Sequence, residues 1–141
     1  IITTDHAPHT LEEKQQLYFQ SMSGAPMVQH SLNCMLEFYE KGQISLEKIV
    51  EKMCHNPAIL YRITNRGYIR EGYYADLTLV DLNSTWTVTK ENLLYKCGWS
   101  PLEGTTFNSK VMQTFVNGKL VYDNGLFQEN IFGMPIDFSN K

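Results

Sequence analysis

A chain of 141 residues is enough for one ordinary domain and short for two. With 43% hydrophobic and 12% aromatic residues it groups with packed globular proteins rather than disordered ones. A net charge of -3, with 12 Lys and Arg scattered along the chain, leaves no electrostatic case for nucleic acid, and no apolar run is long enough to span a membrane.

Residues 1–4 (IITT) are β-branched and predict the end of a buried strand, stopped near Asp5 by Pro8. Residues 10–27 mix charge, Gln, Ser, Gly and Pro, and predict a long loop with one helical turn; a loop of that length in a compact domain usually carries function. From Met27 the period changes. Val28, Leu32, Met35, Leu36 and Tyr39 share one helical face, with Gly42 as the stop. Ser45 is placed to cap a second helix with Leu46, Ile49, Val50 and Met53 as its apolar face. Asn56-Pro57 predicts the cap and first position of a third, short helix through Leu60 and Tyr61.

Beyond Arg66-Gly67 and Glu71-Gly72 the pattern turns to strands. Residues 76–82 and 86–89 read as extended, and 111–122 as a hairpin turning at Asn117-Gly118. The tail after Asp123 shows no period. Cys34, Cys54 and Cys97 are odd in number and widely spaced, which fits reduced thiols in a cytoplasmic protein better than a disulfide framework or a zinc knuckle. The first residues lack the basic and apolar regions of a secretory signal, so a cytoplasmic location is expected.

The stretch Asp5-His6-Ala7-Pro8-His9 concentrates the chemistry. A carboxylate at the C-terminal tip of a parallel strand is where α/β barrels keep catalytic groups. Asp5 there can ligate a metal and take a proton from activated water, and His9 can face an anionic substrate group. Spacing alone favours Asp5 as the cap of a turn and both histidines as surface residues, since D-H-x-P-H is no established ligand spacing. His30 and His55 read as structural or solvent-facing, and Cys34 and Cys54 as small core residues.

Thr3-Thr4-Asp5-His6-Ala7-Pro8-His9-Thr10-Leu11-Glu12-Glu13-Lys14 resembles the last barrel strand and following loop of the dihydroorotase family, within the amidohydrolase superfamily. The likeness continues in family order through Ser23-Gly24-Ala25-Pro26, His55-Asn56-Pro57-Ala58, residues 66–77, Lys96-Cys97-Gly98-Trp99-Ser100-Pro101 and Val116-Asn117-Gly118. Gly72-x-x-Ala75-Asp76-Leu77 and the Val116-Asn117-Gly118 turn are common to cyclic amidohydrolases. The D-H-A-P-H run separates dihydroorotases from hydantoinases and allantoinases.

The resemblance implies an α/β protein: the C-terminal end of a (β/α)8 TIM barrel over residues 1–62 (the eighth strand and following helices), the C-terminal part of a small β-sandwich over 63–125, and a tail over 126–141. It implies that Asp5 is a metal ligand and the general acid/base, that His9 contacts a substrate carboxylate, and that the backbone of Ser23 and Gly24 holds a pyrimidine ring. The implied cofactor is zinc, as one or two ions; the implied substrate pair is dihydroorotate and N-carbamoyl-aspartate. The H-x-H pair, carboxylated lysine and further histidines of the family have no counterpart in these 141 residues. A complete barrel takes about 250 residues, so the chain is expected to be an inactive fragment on its own, with open sheet edges and exposed apolar surface. A hydantoinase- or allantoinase-type enzyme is the alternative reading, and a non-catalytic partner of aspartate carbamoyltransferase a further one. A homodimer and an aspartate carbamoyltransferase complex are the macromolecular partnerships the resemblance allows.

Overall fold

A computed structural model describes residues 1–139. Helix α1 (Leu11–Lys14) is a single turn closed by a capping box: the Thr10 hydroxyl accepts from the Glu13 amide at 3.3 Å, and the Glu13 carboxylate accepts from the Thr10 amide at 2.8 Å. A 3-10 turn over Val28–His30 leads into α2 (Ser31–Glu40), which ends where Gly42 takes φ +67. The buried face of this stretch is His30, Asn33 and Leu36, whereas Val28 stands 56% exposed. The stripe is therefore rotated from the apolar period, because polar His30 and Asn33 find partners inside.

Ser45 caps α3 (Leu46–Val50) as expected, accepting from the Lys48 amide at 3.3 Å, and Ile49 is its buried residue. The short third helix is not separate. A π-turn over Glu51–His55 joins α3 to α4 (Asn56–Leu60), and Asn56 has helical angles rather than those of a cap. Pro57 supplies the reason. It has no N–H to offer, and its ring would press on the carbonyl one α-turn back, so the helix widens ahead of it. The Asn56 amide reaches Glu51 O, and Lys52 O, whose partner in that wider pattern would be the donor-less Pro57, accepts instead from the Ile2 amide at 3.0 Å.

Residues 1–4 form no ladder: Ile2 is tied to the helix by that one hydrogen bond, and no strand lies alongside among the described residues. A strand's donors and acceptors need neighbours in register, and β-branching alone does not supply them. The nearest extended pairing is a parallel bridge between His6 and Ala25, with the Ala7 amide donating to Ala25 O at 3.1 Å.

Six strands follow among the described residues: β1 (Leu77–Asp81), β2 (Trp86–Thr87), β3 (Thr106–Phe107), β4 (Lys110–Val116), β5 (Lys119–Asp123) and β6 (Leu126–Phe127). They make an antiparallel sheet in the order β1-β4-β5-β6 and a separate β2-β3 pair. The β4–β5 hairpin turns at Asn117-Gly118, at φ +53 and +77, the left-handed pair a tight right-twisting turn demands. Arg66 connects this turn to the sheet entry: it pairs with Asp76 and donates to Asn117 Oδ1 at 2.7 Å, while Asp76 Oδ1 accepts from the Asn117 amide at 2.8 Å. The Ala75-Asp76-Leu77 and Val116-Asn117-Gly118 pieces, far apart in the chain, are thus one structural unit.

The core lies where α2 meets β2-β3. Phe107, Val88, Leu36 and His30 are buried there, and the rings of His30, Trp86 and Phe107 form a triangle, with His30 5.9 Å from Trp86 and 6.1 Å from Phe107 and those two 5.6 Å apart. Elsewhere large apolar side chains stand open, Phe19 at 97% and Ile69 at 90% exposure, and Cys54 is exposed rather than core.

Candidate active site

Asp5 sits at the end of the opening segment with φ +45, a left-handed conformation that Asp tolerates better than most residues. Its carboxylate is exposed and, among the described residues, has no hydrogen-bond or ion-pair partner. The turn-cap alternative for Asp5 therefore finds no acceptor role to rest on. His6, beside it, is structural: its Nδ1 accepts from the Met27 and Val28 amides at 3.0 and 3.3 Å, and its ring lies 5.4 Å from that of Tyr95.

His9 is held at three points. Its amide donates to Ala7 O at 2.9 Å, its carbonyl accepts from the Trp99 indole N–H at 2.8 Å, and its Nδ1 lies 3.4 Å from Glu13 Oε2. With Nδ1 turned to the carboxylate that also closes the capping box, Nε2 is the nitrogen left for a ligand.

Ser23 and Gly24 belong to a loop strapped onto α1. The Lys14 ammonium donates to Met22 O and, at 2.9 Å, to Gly24 O, and Ser21 Oγ donates to Lys14 O at 2.8 Å. Gly24 has φ +84, and a Cβ there would come within 2.5 Å of the Ala7 Cβ. Glycine at this position is what lets the loop lie against the Asp5–His9 segment. Ser23 is exposed. An open cleft of about 500 Å³ adjoins this arrangement, lined by His6, Pro8, Val28, Gln29, Tyr95 and Lys96 among others.

The donor set falls short of a metal site. Among the described residues no three His, Cys, Asp or Glu side chains converge. Asp5 can supply one oxygen ligand; these 139 residues do not by themselves make a zinc site. His30 and His55 lie apart from Asp5: His30 Nδ1 lies 3.2 Å from the Tyr95 hydroxyl while its buried Nε2 has no partner among the described residues, and His55 stacks on Tyr68 at 4.1 Å. Burial holds the His30 pKa below the ordinary histidine value and lifts the thiol of Cys34 above its ordinary value, so neither is a poised nucleophile. Glu13 and Trp99, the partners of His9, are neighbours that periodicity does not reveal; the capping-box spacing from Thr10 is the readable sign of Glu13.

Residues 1–121 match the model of the amidohydrolase family. The chain belongs to that family. Curated amidohydrolase relatives include the dihydroorotase of Pyrococcus furiosus, 38% identical over 135 residues, 96% of this chain and 30% of that protein. The dihydroorotase of Geobacter metallireducens is 37% identical over 121 residues, 86% of this chain and 28% of its own length. Among solved amidohydrolase structures, the L-hydantoinase of Arthrobacter aurescens aligns with TM-score 0.72 at 30% identity, over 78% of this chain and 25% of that one. A D-hydantoinase from Thermus sp. reaches TM-score 0.82 at 21% identity over 88% of this chain and 28% of that one, a likeness of fold. The chain thus spans about 30% of the length of the curated relatives it matches. It is an α/β amidohydrolase-family chain with sheets, and no helix among the described residues is long and apolar enough to cross a membrane.

Proposed function

We propose that these residues are the C-terminal part of a dihydroorotase, which reversibly hydrolyses the cyclic amide of dihydroorotate to N-carbamoyl-aspartate in pyrimidine synthesis. In this reading residues 1–62 close the (β/α)8 barrel and 63–125 supply part of a β-sandwich. Identity to dihydroorotases across 96% of the chain supports it. The single observation that carries the site is the free carboxylate of Asp5 on a left-handed backbone, beside a His9 whose backbone and ring are both fixed.

Zinc, bound by Asp5 together with ligands from elsewhere in the protein, would polarise the ring amide carbonyl. The residues of this chain do the rest. The Asp5 carboxylate accepts a proton from the attacking water as the new C–O bond forms, and returns it to the ring nitrogen as the C–N bond breaks. His9 Nε2 faces the substrate carboxylate, and the backbone at Ser23-Gly24 holds the ring. The 141 residues alone, with one carboxylate in place of a ligand set, are expected to bind no catalytic zinc and to turn over nothing.

The experiment is turnover of dihydroorotate by the full-length protein and its Asp5→Asn variant. A loss of about 10³-fold or more with an unchanged melting temperature is expected, and wild-type turnover in the variant removes Asp5 from the mechanism. A hydantoinase-type activity is the second reading, favoured by the likeness to the L-hydantoinase. Offering a hydantoin ring that lacks a carboxylate separates the two, since His9 then has no anionic group to meet.

A further inference from the structure

The Lys96-Cys97-Gly98-Trp99 stretch lies far along the chain from Asp5 and His9, yet it touches the site. The Trp99 indole N–H donates to the His9 carbonyl at 2.8 Å across 90 residues. Of the three groups that hold His9, Ala7 and Glu13 are its own sequence neighbours; Trp99 alone comes from outside the loop. The anchor of Trp99 is itself fixed to the site. Gln29 Nε2 donates to Asn92 O and its Oε1 accepts from the Leu94 amide, each at 2.8 Å, while the Gln29 amide donates to the Tyr95 hydroxyl at 3.0 Å. Residues 25–30 are in turn bound to His6 and Ala7. The contacts close a ring: residues 6–9 to 25–30, to 92–95, to Trp99, and back to His9.

We infer that Trp99 is a positioning residue for His9, setting where the imidazole stands rather than touching substrate. This rests on the reading of His9 as the contact for the substrate carboxylate. A backbone carbonyl that loses its donor lets the His9 peptide tilt, and the ring it carries moves with it. Because the carboxylate is bound alike in the ground and transition states, the loss falls on KM rather than kcat. A net hydrogen bond of ordinary strength predicts a KM for dihydroorotate about 3- to 10-fold higher in Trp99→Phe.

The molecule carries its own control. The Trp86 indole N–H donates to Ser109 O at 2.9 Å, a bond of the same kind in the β2-β3 region. In the full-length protein, Trp99→Phe is expected to raise KM with kcat unchanged within about twofold, and Trp86→Phe to leave KM alone. In a His9→Asn background, Trp99→Phe is expected to add nothing further to the Kd for dihydroorotate measured by calorimetry. An unchanged KM in Trp99→Phe, an equal rise in Trp86→Phe, or full additivity with His9→Asn overturns the proposal. If the wild-type protein does not turn over dihydroorotate, the functional reading fails on its own. Histidine-selective NMR of the same variants then decides the positioning role: His9 ring signals that move in Trp99→Phe and not in Trp86→Phe uphold it, and unmoved His9 signals reject it.

Discussion

Around Phe107, side chains from α2, the β2-β3 pair and the loop at Tyr95 pack until Phe107 is 2% and His30 0% exposed. Around Asp5, over residues 1–10, no residue is buried, and shape is kept by hydrogen bonds, the Lys14 ammonium strap among them, and a glycine that admits close approach. The first region draws its stability from removing apolar surface from water. The second gives up burial and retains a carboxylate and an imidazole nitrogen that nothing in the fold consumes. Buried core and proposed reactive groups are segregated, and the Tyr95–Trp99 loop is what joins them.

If that division is right, mutations should sort by region. Phe107→Ala removes the largest fully buried side chain among the described residues and should cost about 3–5 kcal/mol of apparent unfolding free energy in a denaturant titration. Dihydroorotate KM in whatever remains folded should change little. A variant that lost affinity in step with stability would show the two regions to be one. Gly24→Ala should do the reverse. The added methyl meets the Ala7 Cβ on a left-handed backbone, a strain of about 1–3 kcal/mol, and the loop has few buried contacts through which to resist. The expected result is a several-fold loss of dihydroorotate affinity by calorimetry with a smaller fall in melting temperature.

The smallest effect concerns pH. Burial lowers the His30 pKa in the folded state, so in the window below about 6.5 the unfolded chain binds the proton that the folded one refuses. The stability that goes with a neutral His30 is complete above that window and is lost as pH falls towards the folded value. Unfolding midpoints compared at neutral and mildly acid pH should converge between wild type and His30→Gln as acid is added. Parallel curves would mean that His30 titrates as it does in water.

Much of the helical half is legible from local chemistry. Gly42 stops α2 and Ser45 caps α3 because each acts within its own turn. The β4–β5 hairpin is legible because Asn117-Gly118 permits few other shapes. The two-residue strands β3 and β6 have no period to read, although Asn124-Gly125, at φ +42 and +100, repeats the turn pairing ahead of β6. His30 and Asn33 were unreadable as core because their burial depends on remote partners: Asn33 Nδ2 donates to Ser109 O at 2.8 Å. The site divides the same way. Asp5, His9, Ser23 and Gly24 stand out through family resemblance, and their supports at Trp99 and Lys14 emerge only when distant segments meet.

The proline in the α3–α4 helix carries one more consequence. A helix proline is ordinarily counted as a defect, to be cured by alanine. In this helix the missing donor keeps the Lys52 carbonyl vacant, and the opening segment plugs into it through Ile2. Alanine at position 57 would bring a rival N–H to the same oxygen. The repaired helix would then compete with its own docking point, and the segment that leads to Asp5 would lose its mooring to a change in the helix that holds it.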